Sequence, residues 1–322
     1  MQQTNANPLK RRLFALLKLA VSVGLLALLL RTMDAAAVAA MLGRLPAAAI
    51  AAGLVLILVQ IAVLGLRWWL VMAAIEAPIA FRKVLPVTFI GAFFNQVLPT
   101  SFGGDAVRMW QAHRLGVSGE AAVVGVFLER LGGLFGLAVL TALGAAYLGS
   151  EIDNQALRLG LLATLPAAVA GVLALTALDR LPARWRRGSV LEKATRLARD
   201  SRRVFLTPAT ALPLLLLSML SHTLAAAAIY AFAEGLQLGL PFLTCVALFS
   251  AVILVTAIPI SFAGWGLREG AMVALFAFAG LGADTALALS LAFGVAYLAA
   301  SLPGCALWLA WRHTPSAGTD SL

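Results

Sequence analysis

Charged residues are scarce in this 322-residue chain, and long polar segments are missing from it. Only 12% of the residues are charged and 62% are hydrophobic, whereas an ordinary soluble domain has roughly 25% and 45 to 50%. The longest polar stretch, residues 179–207, is too short for a soluble catalytic domain. These deficits exclude a soluble protein and indicate an integral membrane protein.

Residues and motifs that carry familiar enzyme chemistry are also few. The two cysteines, Cys245 and Cys305, lie inside apolar segments, where a thiol behaves as a small hydrophobe, so neither a disulfide framework nor a metal site is predicted. The sequence has no H-E-x-x-H, Walker or G-x-S-x-G motif to support metal, nucleotide or serine-hydrolase chemistry. We therefore predict no cofactor and place enzymatic hypotheses second.

The long apolar segments that are present predict an all-α polytopic membrane protein. Lipid offers no water to backbone N–H and C=O groups, so spans of about 20 apolar residues must be helical. Two further apolar segments, 84–98 and 240–258, are interrupted by Pro99 and Pro259 and are expected to form broken re-entrant helical hairpins. The six segments long enough to span are 13–30, 46–66, 121–148, 155–178, 209–232 and 284–311.

We interpret the net charge of +10 as a consequence of membrane topology, in which basic residues collect in cytoplasmic loops. The arginines lie in loops beside apolar spans and are not interleaved with aromatic residues, so a nucleic-acid partner is not predicted. The loop 179–203 carries nine lysines or arginines against three acids and is expected to be an amphipathic segment attracted to anionic lipid. By the positive-inside rule both termini and the loops 67–83, 108–120 and 179–203 are cytoplasmic, with Arg31, Arg44 and Arg158 as exceptions on the outer side. The run 13–30 is longer than a typical signal-peptide core and is expected to be retained.

An internal duplication organises the chain. The segment LPTSFGGDAVR at 98–108 aligns without a gap on IPISFAGWGLR at 258–268, and both contain P-x-S-F-x-G-x-x-x-R. The second unit is inverted if the broken segments are re-entrant, and parallel if each crosses as one discontinuous helix. The predicted divisions are an N-terminal helix and loop 1–45, repeat unit 46–148, connecting helix and basic loop 149–205, repeat unit 206–308 and cytoplasmic tail 309–322.

The duplicated motif has the residues of a helix-terminus anion site. Pro99 and Pro259 end the incoming helices. Ser101 and Ser261 can cap the outgoing helices, while Gly104 and Gly264 allow tight turns. Arg108 and Arg268 follow about one to two turns along helices whose N-terminal ends are partially positive. Paired broken helices of this kind are typical of alternating-access transporters that bind substrate near the membrane midplane.

The acidic residues of the motifs leave a structural alternative open. Asp105 could simply pair with Arg108, and Glu269 with another cation, so that each motif is a hairpin staple. A charge at bilayer depth costs about 2.5 to 3.5 kcal/mol on insertion scales, which favours a functional role for two such arginines. The predicted substrate-binding residues are Ser101, Gly104, Asp105, Arg108, Ser261, Gly264, Arg268 and Glu269.

Further polar residues inside apolar segments are candidates for the cavity or for energy coupling. They are Asn95, Glu129, Arg130 and His222. Glu129 and Arg130 could equally lie near the membrane interface, and a lone histidine is more often hydrogen-bonded between helices. Trp68, Trp69, Trp308 and Trp311 are expected to be interfacial anchors.

The motifs NQVLPTSFGGDAVR and IPISFAGWGLREG, with the length and hydropathy pattern, resemble the lysylphosphatidylglycerol synthase transmembrane-region family, also called flippase-like domain proteins. The resemblance covers nearly the whole chain. In bifunctional members the membrane part moves an aminoacylated phospholipid between leaflets, and a separate soluble domain makes that lipid. No stretch of this sequence fits that domain, so we expect only the translocator part to carry over. Its matching positions are Pro99, Ser101, Gly104, Asp105, Arg108, Pro259, Ser261, Gly264, Arg268 and Glu269.

The leading hypothesis is a translocator of the bacterial inner membrane for a lipid with an anionic, phosphate-bearing headgroup, such as an aminoacylated phospholipid or an envelope glycolipid. Its expected partners are membrane phospholipid or a lipid-linked substrate and, by the resemblance, a separate lipid-synthesising enzyme. The alternatives are a lipid-modifying membrane transferase with Glu129 or Asp105 as general base, and a non-catalytic scaffold for envelope-lipid synthesis. The sequence does not fix the oligomeric state.

Overall fold

Helices make up nearly all of the computed structural model, which describes residues 34–98, 102–149, 152, 154–180, 189–258 and 264–311. No strand occurs in these ranges, which confirms the all-α class. The helices are α1 (Ala35–Gly43), α2 (Ala47–Ala74), α3 (Phe81–Val97), α4 (Gly103–Arg114), α5 (Gly119–Leu148), α6 (Gln155–Thr176), α7 (Ser189–Phe205), α8 (Pro208–Gly235), α9 (Phe242–Thr256), α10 (Leu267–Phe276) and α11 (Ala283–Trp311).

Five helices, α2, α5, α6, α8 and α11, are long and apolar enough to cross a membrane. They correspond to five of the six spans predicted from the sequence, and the chain is a multi-pass membrane protein. The remaining predicted span, 13–30, lies outside the described residues. Helix α6 is the most peripheral of the five, since only 6% of its most apolar stretch is buried inside the protein.

Helix α2 continues beyond the predicted end of its span at residue 66. The apolar sequence after Arg67 extends the helix to Ala74, so Arg67 lies within the helix and is buried, not in a cytoplasmic loop. The prediction that Trp68 is an interfacial anchor was wrong, because its side chain is fully buried. Trp69 on the same turn is partly exposed and packs edge-on against Phe81.

The two broken segments form helical hairpins. Helices α3 and α4 have 17 and 12 residues, hence lengths of about 25 Å and 18 Å, and neither would cross a hydrocarbon core of about 30 Å. They run side by side and antiparallel: the Gly104 N–H donates to Asn95 Oδ1 over 2.8 Å, while the Arg108 side chain lies against Gly91. In the second hairpin, Thr256 at the end of α9 is likewise the nearest neighbour of Gly264, which lies shortly before α10. Pro99 and Pro259, which were predicted to interrupt these segments, lie outside the described residues.

The two predicted repeat units pack against each other through equivalent pairs of helices. Helix α2 packs against α8, α3 packs against α11, and α5 packs against α9. Glycines permit the closest approaches: Gly144 of α5 contacts the Ala247 backbone, and Gly304 of α11 contacts the Phe89 backbone. A two-fold relation between the units would produce this reciprocity. The inverted orientation itself stays a prediction.

Helix α7 forms the C-terminal part of the basic loop. Its apolar face, including Ala198 and Val204, is buried against the protein. Three arginines connect it to neighbouring segments: Arg196 pairs with Glu120 of α5, Arg203 with Glu76 after α2, and Arg202 with Asp179 after α6. The hydrogen bond from Arg202 holds the pKa of the Asp179 carboxyl below its ordinary value. The predicted attraction of this loop to anionic lipid stays a prediction.

The Gly304 contact leads to a testable expectation for stability. Replacing Gly304 with alanine places a Cβ against the Phe89 backbone, which overpacks the α3–α11 contact and should cost about 1 to 3 kcal/mol. The matched control is Gly160→Ala in α6, where nothing lies within 4 Å and the gain in helix propensity is at most about 1 kcal/mol. Thermal unfolding in detergent, followed by size-exclusion chromatography, compares the two. Equal unfolding midpoints would show that α3 and α11 do not approach this closely.

Candidate functional site

A buried carboxylate, Glu129 of α5, connects two arginines from different helices. Its Oε1 accepts a hydrogen bond from Arg67 Nη2 at 2.5 Å, and its Oε2 accepts one from Arg108 Nη1 at 3.1 Å. Arg67 Nη2 also donates to the Glu129 backbone carbonyl at 3.0 Å. All three side chains are at most 4% exposed. Glu129 is therefore enclosed by the protein, and its depth in the membrane stays a prediction.

Asp105 joins a third arginine to this cluster. Its Oδ1 lies 3.4 Å from Arg108 Nη1, and its Oδ2 pairs with Arg130 Nε. The Arg130 guanidinium also lies 4.7 Å from the centroid of the Phe102 ring. The ionic cluster thus consists of three arginines and two carboxylates, listed as Arg67, Arg108, Arg130, Asp105 and Glu129.

Glycines and one tryptophan hold the arginines in place. The Arg67 guanidinium lies against Gly133 of α5, and the aliphatic part of Arg108 lies against Gly91 of α3, at positions where any Cβ would clash. The Arg108 guanidinium lies 4.5 Å from the centroid of the buried Trp68 ring, within cation–π range. The absence of side chains at these two glycines therefore leaves the space into which the long cationic side chains extend.

Two of the arginines retain hydrogen-bond donors without an acceptor. Among the described residues, no acceptor faces Nε and Nη2 of Arg108 or Nε of Arg67. Buried polar groups in native proteins are nearly always hydrogen-bonded, so each exception calls for an explanation. A planar guanidinium with free N–H groups is well suited to bind a phosphate or carboxylate.

A cavity of about 370 Å³ adjoins the ionic cluster. Its wall combines all five cluster residues and Asn95 with apolar side chains such as Leu64, Leu137 and Ile253. Thr256 and Ala257, at the end of α9, also line it, so the cavity extends from the first hairpin to the second. His222 of α8 faces the cavity with Nε2 at 3.1 Å from the Gly133 carbonyl, a hydrogen bond between helices.

The arginine of the second motif has a separate, closed environment. Arg268 Nη2 and Nε bond to Glu269 Oε1 at 2.6 Å and 3.2 Å, and Nε also donates to Ser290 Oγ. The other Glu269 oxygen accepts the Gly266 N–H at the start of α10. The aromatic ring of Trp265 lies 4.8 Å from the guanidinium. Arg268 does not line the cavity that contains Arg108.

The predicted site residues are only partly brought together. Asn95, Asp105, Arg108, Glu129, Arg130 and His222 share one cavity. Gly104 contacts Gly91 and Asn95 at its edge, and Gly264 has a φ of 83° that suits glycine. Ser101 and Ser261 lie outside the described residues. The pairs of the structural alternative, Asp105 with Arg108 and Glu269 with Arg268, both form.

Sequence reasoning missed the contributions of Arg67 and Trp68. It took Arg67 as the start of a cytoplasmic loop, although the following residues, WWLVMAA, continue the apolar run and indicate a longer helix. An arginine seven residues before the end of such a run lies about 10 Å inside the helix. That position was the signal available in the sequence, but its partner Glu129 could not be inferred from it.

Comparison with known proteins places this site within a recognised membrane family. A family model described as "Lysylphosphatidylglycerol synthase TM region" matches residues 15–304. The match includes both hairpins and every residue of the ionic cluster. No curated protein matches the chain.

The bridging role of Glu129 leads to a second stability expectation. Glu129→Gln removes the charge that two buried arginines share, and loss of one partner from a buried ion pair typically costs about 3 to 5 kcal/mol. The control is Glu234→Gln, at an exposed carboxylate near the end of α8. Thermal unfolding in detergent should show a much lower midpoint for Glu129→Gln. If both variants unfolded at the wild-type temperature, Glu129 would not be the shared counter-ion.

Proposed function

Since this chain belongs to the lysylphosphatidylglycerol synthase TM region family, we propose that it moves an amphipathic lipid with an anionic, phosphate-bearing headgroup between membrane leaflets. An aminoacylated phospholipid and an envelope glycolipid are both within this class. The family supports a membrane role related to lipid. The headgroup charge and the translocation are inferred from the cavity.

The observation that carries the proposal concerns Arg108, a residue of the cavity wall. Its Nε and Nη2 donors face no acceptor among the described residues. Leaving buried donors unpaired is costly, so an anionic ligand that supplied the missing acceptors would be favoured. A phosphate oxygen can accept several such donors at once, as bidentate arginine pairs do.

The start of α4 adds to the attraction for an anion. Phe102 and Asp105, at the N-terminal end of this helix, line the cavity. Backbone N–H groups at a helix N-terminus carry a partial positive charge and bind anions. Asn95 satisfies one of them, at Gly104, and Asp105 lies in the same first turn. A headgroup entering here would meet both the helix terminus and the guanidinium of Arg108.

The cavity lining also matches an amphipathic ligand. Its charged residues would bind a headgroup, while Leu64, Leu137 and Ile253 provide apolar surface in the same wall. A soluble anion would need no such apolar surface. A lipid requires both kinds of contact in one site, and ligand sites generally combine an apolar wall with a few polar groups that fix orientation.

The second motif provides the counterpart in the proposed mechanism. In alternating-access transporters built from inverted repeats, the two units rock around one site and expose it to each side in turn. Arg268 would contact the headgroup when the site faces the opposite leaflet, exchanging its bond to Glu269 for the ligand. Ser101, Gly104, Ser261 and Gly264 would shape the two hairpin tips around it.

Leaflet exchange in proteoliposomes tests the proposal. We expect wild-type protein to exchange a fluorescent phosphatidylglycerol faster than a fluorescent phosphatidylcholine. Arg108→Ala should lower the rate about tenfold to a hundredfold, because one hydrogen bond to a charged group contributes about 1.5 to 3 kcal/mol. Arg268→Ala should also lower it if both motifs contact the headgroup. Arg44→Ala, an exposed arginine after α1, is the matched control and should keep the wild-type rate.

The outcomes separate the three hypotheses of the sequence analysis. Equal exchange in wild type and both motif variants would make the arginines structural staples. Formation of a new headgroup product by the purified protein would favour a membrane transferase. An envelope phenotype that survives replacement of both arginines would favour a scaffold.

A further inference from the structure

Three side chains that line the cavity are also exposed at the surface of the protein. Phe102, the residue directly before α4, is 48% exposed, and Phe127 and Leu134 of α5 are 41% and 38% exposed. Phe127, Leu131 and Leu134 follow the i, i+4, i+7 spacing of one helix face. We refer to Phe102, Phe127, Leu131 and Leu134 as the mouth. The cavity therefore reaches the outside of the protein between α4 and α5.

The mouth lies at the depth of acyl chains. Phe127 and Leu134 are eight and fifteen residues after the start of α5 at Gly119, which places them about 12 Å and 22 Å along the helix. A hydrocarbon core is about 30 Å thick. An opening at this depth faces lipid, so a substrate that stays in the bilayer can use it.

Arg130 lies between the mouth and the buried part of the cluster. Its side chain is 36% exposed, whereas those of Arg108 and Glu129 are 3% and 1% exposed. It pairs with Asp105 on one side, and its guanidinium stacks over the Phe102 ring of the mouth. A headgroup that passed between α4 and α5 would meet Arg130 before it reached Arg108.

We propose that the mouth is a lateral lipid entrance, at which Arg130 receives the phosphate while the acyl chains stay in the bilayer. The inference rests on the proposed function and names the route and the order of contacts. The cavity volume of about 370 Å³ is near the lower end of ligand pockets. A polar headgroup fits such a volume, but its acyl chains must extend through an opening lined by apolar side chains.

The chemistry of the mouth explains why Arg130 suits this role. Two of its partners are the Asp105 carboxylate in the first turn of α4 and the ring of Phe102, the residue directly before that helix. A phosphate can replace the carboxylate because both offer paired oxygen acceptors to a guanidinium. The exchange frees Asp105, whose other oxygen already faces Arg108. Arg130 is thus a substrate-binding residue that passes the anion inward.

Photo-crosslinking tests the entrance by a readout that does not require transport. The probe is a phosphatidylglycerol with a diazirine on one acyl chain, dilute in phosphatidylcholine vesicles that contain the full chain. Labelled residues of α5 are identified by mass spectrometry. We expect Phe127 and Leu134 to be labelled at least fivefold more than Leu143 and Tyr147, which are exposed on the same helix but do not line the cavity.

Variants test whether the labelling depends on binding of the headgroup. The excess at the mouth should disappear in Arg108→Ala, and it should be missing in wild type when the probe is phosphatidylcholine. Arg130→Ala should raise the probe concentration for half-maximal labelling at least fivefold, and Arg130→Lys, which keeps the charge, should raise it less. An unchanged half-maximal concentration in Arg130→Ala would overturn the role given to Arg130.

The lateral entrance and the proposed translocation can each be rejected without the other. Uniform labelling along α5 together with leaflet exchange would reject the lateral entrance and keep translocation. Excess labelling at the mouth without leaflet exchange would keep the entrance and reject translocation. Uniform labelling without exchange would reject both.

Discussion

The structure depends on the requirement that charges buried inside the protein be neutralised by one another. Glu129 meets this requirement for two arginines at once, through one carboxylate oxygen each. Because Arg67 is on α2, Arg108 on α4 and Glu129 on α5, the ion pairs also fix how these three helices lie together. Breaking any one pair would leave a charge without a partner in a low-dielectric interior, which is far more costly than losing a surface ion pair.

Close helix packing is the condition that makes these ion pairs geometrically accessible. Gly91 and Gly133 remove side chains at the two points where the arginines cross from one helix to the next. Small residues at helix interfaces generally allow backbones in membranes to approach closely. Here they also leave room for long side chains alongside the backbone. The same use of glycine recurs between the units, where Gly144 and Gly304 contact the opposite hairpins.

The fold could be predicted further than the site. Apolar length and the two proline interruptions predicted six spans and two broken segments, because lipid allows only helices there. Five of those spans lie in the described residues. The composition of the site could be predicted in part, since Arg108, Asp105 and Glu129 are conspicuous as charges in apolar sequence. The pairing of Glu129 could not be predicted, because its two partners lie 21 and 62 residues away in the chain. Trp68 was misplaced for a related reason: whether an aromatic residue at a helix end faces the membrane interface or a buried cation depends on where the helix stops.

The two motifs differ in a way that their shared pattern conceals. In the first unit the acid precedes its arginine by three residues, as Asp105 and Arg108, whereas in the second the acid follows directly, as Arg268 and Glu269. A carboxylate next to its arginine can pair with it and cap its own helix, and Glu269 does both. The polar contacts of the second site are thereby made within the start of α10 and with Ser290. Arg108 instead reaches across to another helix for most of its charge compensation, so the first site is sensitive to the relative position of α2, α4 and α5. The duplicated motif therefore contains one self-contained ion pair and one that joins separate helices. Only the second would change if those helices moved, as the proposed exposure of the site to two leaflets would require.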